Sequence, residues 1–388
     1  MDKILHWQSP HNNAEGWLVI DTLVNGVSGG GLFMHPEATK QEVVELAKNM
    51  TTKNRLNKIP FGGAKGGIRF DHQSPEARGV LGDFLAFCKP YLMRQWSTGA
   101  DLNTDSDTIE RIINSLGVES SFFALGEMYA QKLQIPNQCH NLRARVSVSM
   151  NDYFTLEQGV VGYSIVEMIK CFTNKPLRMV IQGFGKIGSS LAFFTQQQKI
   201  ASIVAIADVS GALVSDTGLL IDQLLEIKSQ EPSCQTLAQL QARYREKSPC
   251  QWFPNAGTGD ENFLALLRAL QVDVISFCAH RYAITSEILD ALAQHTFRSS
   301  ALKLLICGAN LPFAHPNLAE EASRNGIAYV PSWLSSAGNS LLYGAALSTQ
   351  EPDDNWPITV LDRIVAIQIE KIRAVLADRL MQTPSIDK

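Results

Sequence analysis

A glycine-rich turn lies between an apolar run and a helical run in residues 177–199, LRMVIQGFGKIGSSLAFFTQQQK, and no other segment restricts the fold as strongly. Gly183-Phe184-Gly185-Lys186-Ile187-Gly188 has the GxGxxG spacing. The first glycine permits a tight turn and the second lets backbone approach a pyrophosphate. The third lets the helix close on the strand, so that the helix N-terminus faces the phosphates. IASIVAIAD (200–208) follows as a second apolar strand and ends on Asp208. That acid lies about 20 residues past Gly188, the offset at which a dinucleotide site places its acceptor for the adenine-ribose hydroxyls. No arginine stands in Val209-Ser210-Gly211 to receive a 2′-phosphate, which favours NAD over NADP.

Further apolar runs at 272–279, 302–309 and 327–331 alternate with helical segments, as in a parallel, doubly wound sheet with helices on both faces. The stretch 223–262 is polar and weakly periodic, and reads as helices and loops of the same domain. After Pro357 the segment ITVLDRIVAIQIEKIRAVLADRL reads as one long amphipathic helix. Its apolar stripe needs a surface, expected on the first domain or the hinge. Before Asn151 the character differs. WLVIDTLV (17–24) reads as a strand, and TKQEVVELAKNM (39–50) as a helix with Val43, Val44, Leu46, Ala47 and Met50 on one face. IPFGGAKGGIRF (59–70) crowds four glycines around one lysine, which no helix favours. The expectation is therefore an α/β chain of two domains, 1–150 and 151–345, followed by the C-terminal helix, 346–388.

Composition narrows the function classes. The 388 residues hold 34 Lys+Arg against 38 Asp+Glu and are 45% hydrophobic, enough for sizeable cores. A pI near 6.1 supplies no basic field for gripping nucleic acid. MDKILHWQSPHNN has no apolar signal core, and no uninterrupted apolar stretch approaches a membrane span. No nucleic-acid or membrane partner is expected, and the location expected is the cytoplasm. The seven cysteines (Cys88, Cys139, Cys171, Cys234, Cys250, Cys278, Cys307) never form CxxC and read as reduced, mostly buried thiols. No metal is expected. Asp101, Asp105 and Asp107 lack EF-hand spacing, and His280 reads as a loop residue.

Lys53, Lys65 and Asp101 carry the chemistry. Lys65 lies among Gly62, Gly63, Gly66 and Gly67, neighbours without side chains that would let a substrate approach and exclude water. Desolvation lowers a lysine pKa toward roughly 7–8, where it both gives and takes protons. A carboxylate alongside would hold one proton while ammonia adds to a carbonyl.

With these residues the chain resembles the glutamate/leucine/phenylalanine/valine dehydrogenase family. MTTK, PFGGAKGGIR, GADLNT, QGFGKIG, CGAN and SSAG stand in that family's order over most of 16–345. The resemblance implies an N-terminal substrate domain and a Rossmann-type domain with the active site between them, in a homo-oligomer. It implies that Lys65 polarises the keto or imino carbon and activates water, that Lys53 binds the substrate α-carboxylate, and that Asp101 is the acid/base for the amino group. Gly30, Gly31 and Met50 match pocket-lining positions, and Asn310 one near the nicotinamide ribose. The partners implied are an amino acid, its 2-oxo acid and ammonia.

Departures from the family pattern bear on substrate. In GVSGGGLFMHP, Gly29 and Phe33 stand where a glutamate-type pocket presents a lysine and an arginine. A side-chain carboxylate left unpaired there would cost several kcal/mol, so a branched or aromatic amino acid is expected, with Met50 and Tyr343 adding apolar surface. LEQGV follows Thr155 where TGxGV is usual, CAHRYAI (278–284) replaces the usual loop, and SSAGN (335–339) stands for NAGG. Two other readings stay open: a specialised biosynthetic reaction of oxo or amino acids on the same fold, and a non-catalytic sensor of NAD or an amino acid.

Overall fold

The computed structural model describes residues 2–134, 137, 139–231, 236–256, 261–297, 302–348 and 354–382. Cys234 lies outside them. Contacts group the chain into two units, 1–148 with 340–353, and 149–339 with 354–388.

The first unit is built on β1 (Lys3–Gln8), β2 (Glu15–Ile20), β3 (Ser28–Gly29), β4 (Leu32–His35), α1 (Lys40–Leu56), β5 (Gly62–Arg69), α2 (Ala77–Leu92), β6 (Trp96–Ser97), α3 (Ser106–Ser115), α4 (Phe123–Leu133) and α5 (Cys139–Val146). Its sheet runs β1-β2-β5-β3-β6, with β4 also on β5. β2 lies antiparallel to β5, whereas β3 and β4 run parallel to it. Side chains alternate across a strand, and β5 uses the alternation to separate core from chemistry. Ala64 and Ile68 join Leu18, Leu32, Phe84, Trp96 and Ile113 in the core. Gly63, Lys65 and Gly67 take the opposite face, where Gly63 abuts Thr51 and Gly67 abuts Val43 of α1. Thr39 starts α1: its hydroxyl accepts from the Glu42 N–H, and the Glu42 carboxylate accepts from the Thr39 N–H, each at 3.3 Å. The helix runs to Leu56, beyond the expected 39–50, and so carries Lys53 as a buried residue.

The second unit contains α6 (Leu156–Ile169), β7 (Leu177–Gln182), α7 (Lys186–Gln197), β8 (Ala201–Asp208), β9 (Gly211–Val214), α8 (Ile221–Gln230), α9 (Leu237–Lys247), β10 (Gln251–Pro254), α10 (Glu261–Ala269), β11 (Val274–Phe277), α11 (Ser286–Ala291), β12 (Leu304–Ile306), α12 (Asn317–Arg324), β13 (Ala328–Val330) and α13 (Ser332–Ser335). α14 (Gly338–Ser348) and α15 (Trp356–Gln382) follow. The sheet order is β10-β9-β8-β7-β11-β12-β13. The strands β8, β7, β11, β12 and β13 are parallel, and the order reverses between β7 and β11, where ligands of doubly wound sheets bind. β9 and β10 run antiparallel at one edge. β10, in the weakly periodic stretch, is an exposed edge strand with no apolar alternation to reveal it, and β9 is buried but only four residues long.

The C-terminal helix does not need the first domain to cover its stripe. Val360, Leu361, Ile364 and Ile372 are buried, α15 packs on α6 and α13, and Gln368 donates to the Leu334 carbonyl at 2.8 Å. Among the described residues no helix is long and apolar enough to cross a membrane.

Candidate active site

In the first unit the Lys65 ammonium donates to Asp101 Oδ2. Lys65 is 2% exposed and the Asp101 side chain 32%, so the pair is sealed at the lysine and open at the acid. The loop holding Asp101 is fixed on β4: its N–H donates to the Leu32 carbonyl at 3.1 Å, and its Oδ1 accepts from the Leu102 N–H at 2.7 Å. Lys53 is buried nearby on α1. Burial lowers both lysines to about 7, and the charge of Lys53 pushes Lys65 further in the same direction. The Asp101 carboxylate opposes that shift. Lys65 is thus poised to exchange a proton near neutrality.

The glycines around Lys65 have a different role from the one the sequence suggests. A Cβ on Gly62 would meet the Thr22 carbonyl at 2.0 Å, on Gly63 the Thr51 nitrogen at 2.1 Å, and on Gly66 the Leu32 side chain at 2.8 Å. A Cβ on Gly30 would meet the Ala64 carbonyl at 1.7 Å. These positions are filled by protein, so the glycines admit neighbouring backbone and side chains rather than substrate. Gly31 alone of this set faces the acid, with its Cβ position 3.4 Å from Asp101 Oδ2. Met50 is half-buried on α1, one turn before Lys53. Gly29 is buried against the Phe61 ring, 2.7 Å from where its Cβ would be, and Phe33 is buried over Gly67. Tyr343 packs edge-on against Phe122 at 5.1 Å within the same unit.

In the second unit two glycines of the turn after β7 are packed against protein and the one between them is open. Gly183 has φ +98°, and its Cβ position lies 2.6 Å from the Ala279 nitrogen. A Cβ on Gly188 would meet the Gly183 carbonyl at 1.8 Å, so only glycine fits there. Gly185, the N-cap of α7, has nothing within 4 Å of its Cβ position. That open point at a helix N-terminus, between two glycines packed against protein, fits a dinucleotide pyrophosphate. Lys186 is exposed beside it, Ile187 half-buried and Phe184 buried. Asn310, in the loop after β12, accepts from the Ser336 hydroxyl at 3.0 Å. His280 contacts the Arg281 carbonyl of its own loop.

Asp208 is more engaged than its position at the strand end implies. Oδ1 accepts from the Ser210 N–H at 2.8 Å and its hydroxyl at 2.6 Å, and Oδ2 accepts from the Leu237 N–H at 2.6 Å. The acid therefore also caps α9. The sequence reading misses Lys228, whose ammonium donates to the Phe184 carbonyl at 2.8 Å and lies 5.0 Å from the Phe184 ring. It comes from α8, forty-odd residues beyond the glycine turn, and no local motif announces it. Asp105 and Asp107, considered for a metal, are otherwise committed: Asp105 caps α3 at Thr108 N, and Asp107 pairs with Arg143 at 3.0 Å.

A model of the family Glutamate/Leucine/Phenylalanine/Valine dehydrogenase matches residues 157–362, and one of the Glu/Leu/Phe/Val dehydrogenase dimerisation domain matches 5–116. Glutamate dehydrogenase of Thermotoga maritima is 24% identical over 330 residues, 83% of this chain and 70% of that protein. NADP-specific glutamate dehydrogenase of Saccharolobus shibatae is 28% identical over 232 residues, 57% of this chain. The matched stretch spans 48% of that relative's length. NAD-specific glutamate dehydrogenase of Staphylococcus aureus is 27% identical over 208 residues, 52% of this chain and 47% of that one. The fold is shared with the crystal structure of hetero-hexameric glutamate dehydrogenase from Thermus thermophilus in its Leu-bound form. The TM-score is 0.65 at 18% identity, over 97% of this chain and 83% of that one. Two family models, one over each half of the chain and each containing one of the two residue groups, place it in the Glu/Leu/Phe/Val dehydrogenase family of oxidoreductases.

Proposed function

We propose that this chain is a nicotinamide-dependent amino acid dehydrogenase that converts an L-amino acid with a non-acidic side chain to its 2-oxo acid and ammonia, and back. The observation that carries the reading is the buried Lys65 in contact with a part-exposed Asp101. Lys53 would hold the substrate α-carboxylate. Lys65, neutral above about pH 7, would take a proton from the attacking water and return it in amination. Asp101 would take the proton released from the amino group. A bound nicotinamide would supply the hydride acceptor, with its pyrophosphate at Gly185 and its nicotinamide ribose near Asn310.

The non-acidic preference rests on Gly29, buried with Phe61 in the space a longer side chain would need, and on Phe33 in the core over Gly67. Glutamate is the second reading, favoured by the names of the relatives. NAD is proposed on Asp208, and NADP is kept as the alternative because Lys228 brings a cation to the glycine turn. A homo-oligomer is proposed from the dimerisation-domain match. Initial rates with each of the twenty L-amino acids, with NAD and with NADP, test the whole reading. Branched or aromatic substrates should exceed glutamate on the order of a hundredfold in kcat/KM, as when a charged group goes unpaired. A glutamate optimum would replace the substrate assignment, and no turnover of any amino acid would bring forward the specialised-reaction and sensor readings.

A further inference from the structure

Glu119, Cys139 and His140 converge in the first unit, apart from Lys53, Lys65 and Asp101. Glu119 lies in the connection between α3 and α4, and the other two residues open α5. Cys139 Sγ is 3.6 Å and His140 Nε2 3.7 Å from the same atom, Glu119 Oε2. The three ligand-type atoms all lie within 4.8 Å of one another. A tetrahedral zinc with bonds of about 2.0–2.3 Å to oxygen, nitrogen and sulfur spaces its ligand atoms about 3.3–3.6 Å apart. These two separations are close to those edges, and with all three atoms within 4.8 Å a modest contraction closes the group on an ion.

Three further observations favour a ligand here. The donor set of one thiol, one imidazole and one carboxylate is the mixture that soft-to-borderline divalent cations select. Cys139 is buried while the Glu119 and His140 side chains are 58% and 67% exposed, which leaves one side open for ion entry and a water ligand. The start of α5 is already held by a fixed partner: Asn137 Oδ1 accepts from the Cys139 N–H at 2.9 Å, and Asn137 Nδ2 donates to Glu127 Oε2 at 3.1 Å. Glu110, which anchors the Ser121 N–H at 3.0 Å, adds negative field beside the thiol.

We propose that Glu119, Cys139 and His140 bind one zinc-type divalent cation, with water completing the coordination, so that the ion staples the start of α5 to the α3–α4 connection. On binding, the thiol S–H breaks, the S–metal bond forms, and the proton leaves to solvent. Sequence spacing hides the site, because twenty residues separate the glutamate from the Cys-His pair and no CxxC or HxxxH marks it.

The test titrates the full-length protein with zinc sulfate or cobalt chloride alone. The cobalt-loaded protein should develop a thiolate-to-cobalt charge-transfer band. His140→Ala, at an exposed position, and Cys139→Ser should each weaken one equivalent of zinc binding by on the order of tenfold or more, since losing a ligand costs at least what losing its supporting shell does. Absence of the cobalt band, or zinc binding unchanged in His140→Ala, would overturn the assignment even if Cys139→Ser failed to fold.

Discussion

Replacing Asp101 by asparagine keeps the shape of the acid but removes the charge that meets the Lys65 ammonium. In the wild type, burial and the Lys53 charge lower Lys65 to about 7, and the carboxylate opposes them. An opposite charge at contact range is worth about 1–3 pKa units. Without it the Lys65 ammonium should be disfavoured further, by about 1.4–4 kcal/mol. Protein labelled with 13C at lysine Cε gives the titration directly, with the Lys65 resonance assigned by its loss in Lys65→Arg. Deamination should lose about 10²–10⁴-fold in rate, since a general acid/base is gone, and its acid limb should move down with the lysine. A Lys65 pKa unchanged or raised in Asp101→Asn would exclude this coupling, as would a wild-type value near the ordinary lysine pKa.

Three further outcomes follow from the same geometry. Lys53 and Lys65 release their protons at about 7 when folded and near 10.5 when unfolded. Between those values the unfolded chain binds more protons, and stability rises with pH. The deficit is full below about 7, so the urea midpoint should rise from pH 7 to 9, less so in Lys53→Met/Lys65→Met; equal rises would contradict the burial argument. NAD should be preferred over NADP by at least about tenfold, or 1.4 kcal/mol. Lys228→Met should widen the gap by weakening NADP alone, and equal loss with both cofactors would leave Lys228 no part in the choice. Gly29→Lys would drive its Cβ into the Phe61 ring, costing about 1–3 kcal/mol by overpacking. Only with Phe61→Ala should it improve glutamate relative to apolar substrates, and an unchanged melting midpoint in the single variant would show that Phe61 does not fill that space.

How much of this was legible in the sequence depends on how local the signal is. The turn Gly183–Gly188 announces itself because three glycine requirements fall within six residues, and the structure gives Gly183 and Gly188 a steric reason. The parallel strands are visible because buried strands are continuous apolar runs. β10 is an exposed edge strand without such a run, β9 is a buried strand of only four residues, and α15 packs on α6, a surface its own stripe cannot specify. At the site, Lys65 stood out by its glycine neighbours, yet those glycines serve tight packing against Thr22, Thr51 and Leu32. The motif signalled an unusual backbone and left open what the backbone was near. Lys228, Phe61 and the Glu119–Cys139–His140 group are assembled by chain segments distant in sequence, where spacing carries no information.

In the proposed reaction Lys65 moves the proton while a separate group of residues holds the dinucleotide. Lys65→Met tests it in one comparison of turnover with the best amino acid substrate against NADH binding followed by fluorescence. Turnover should be lower by at least about 10³-fold, within the range for a missing general acid/base, with NADH affinity unchanged because Gly183–Gly188 belong to the other unit. Retention of more than a few per cent of wild-type turnover, with the protein folded and NADH bound, would contradict it.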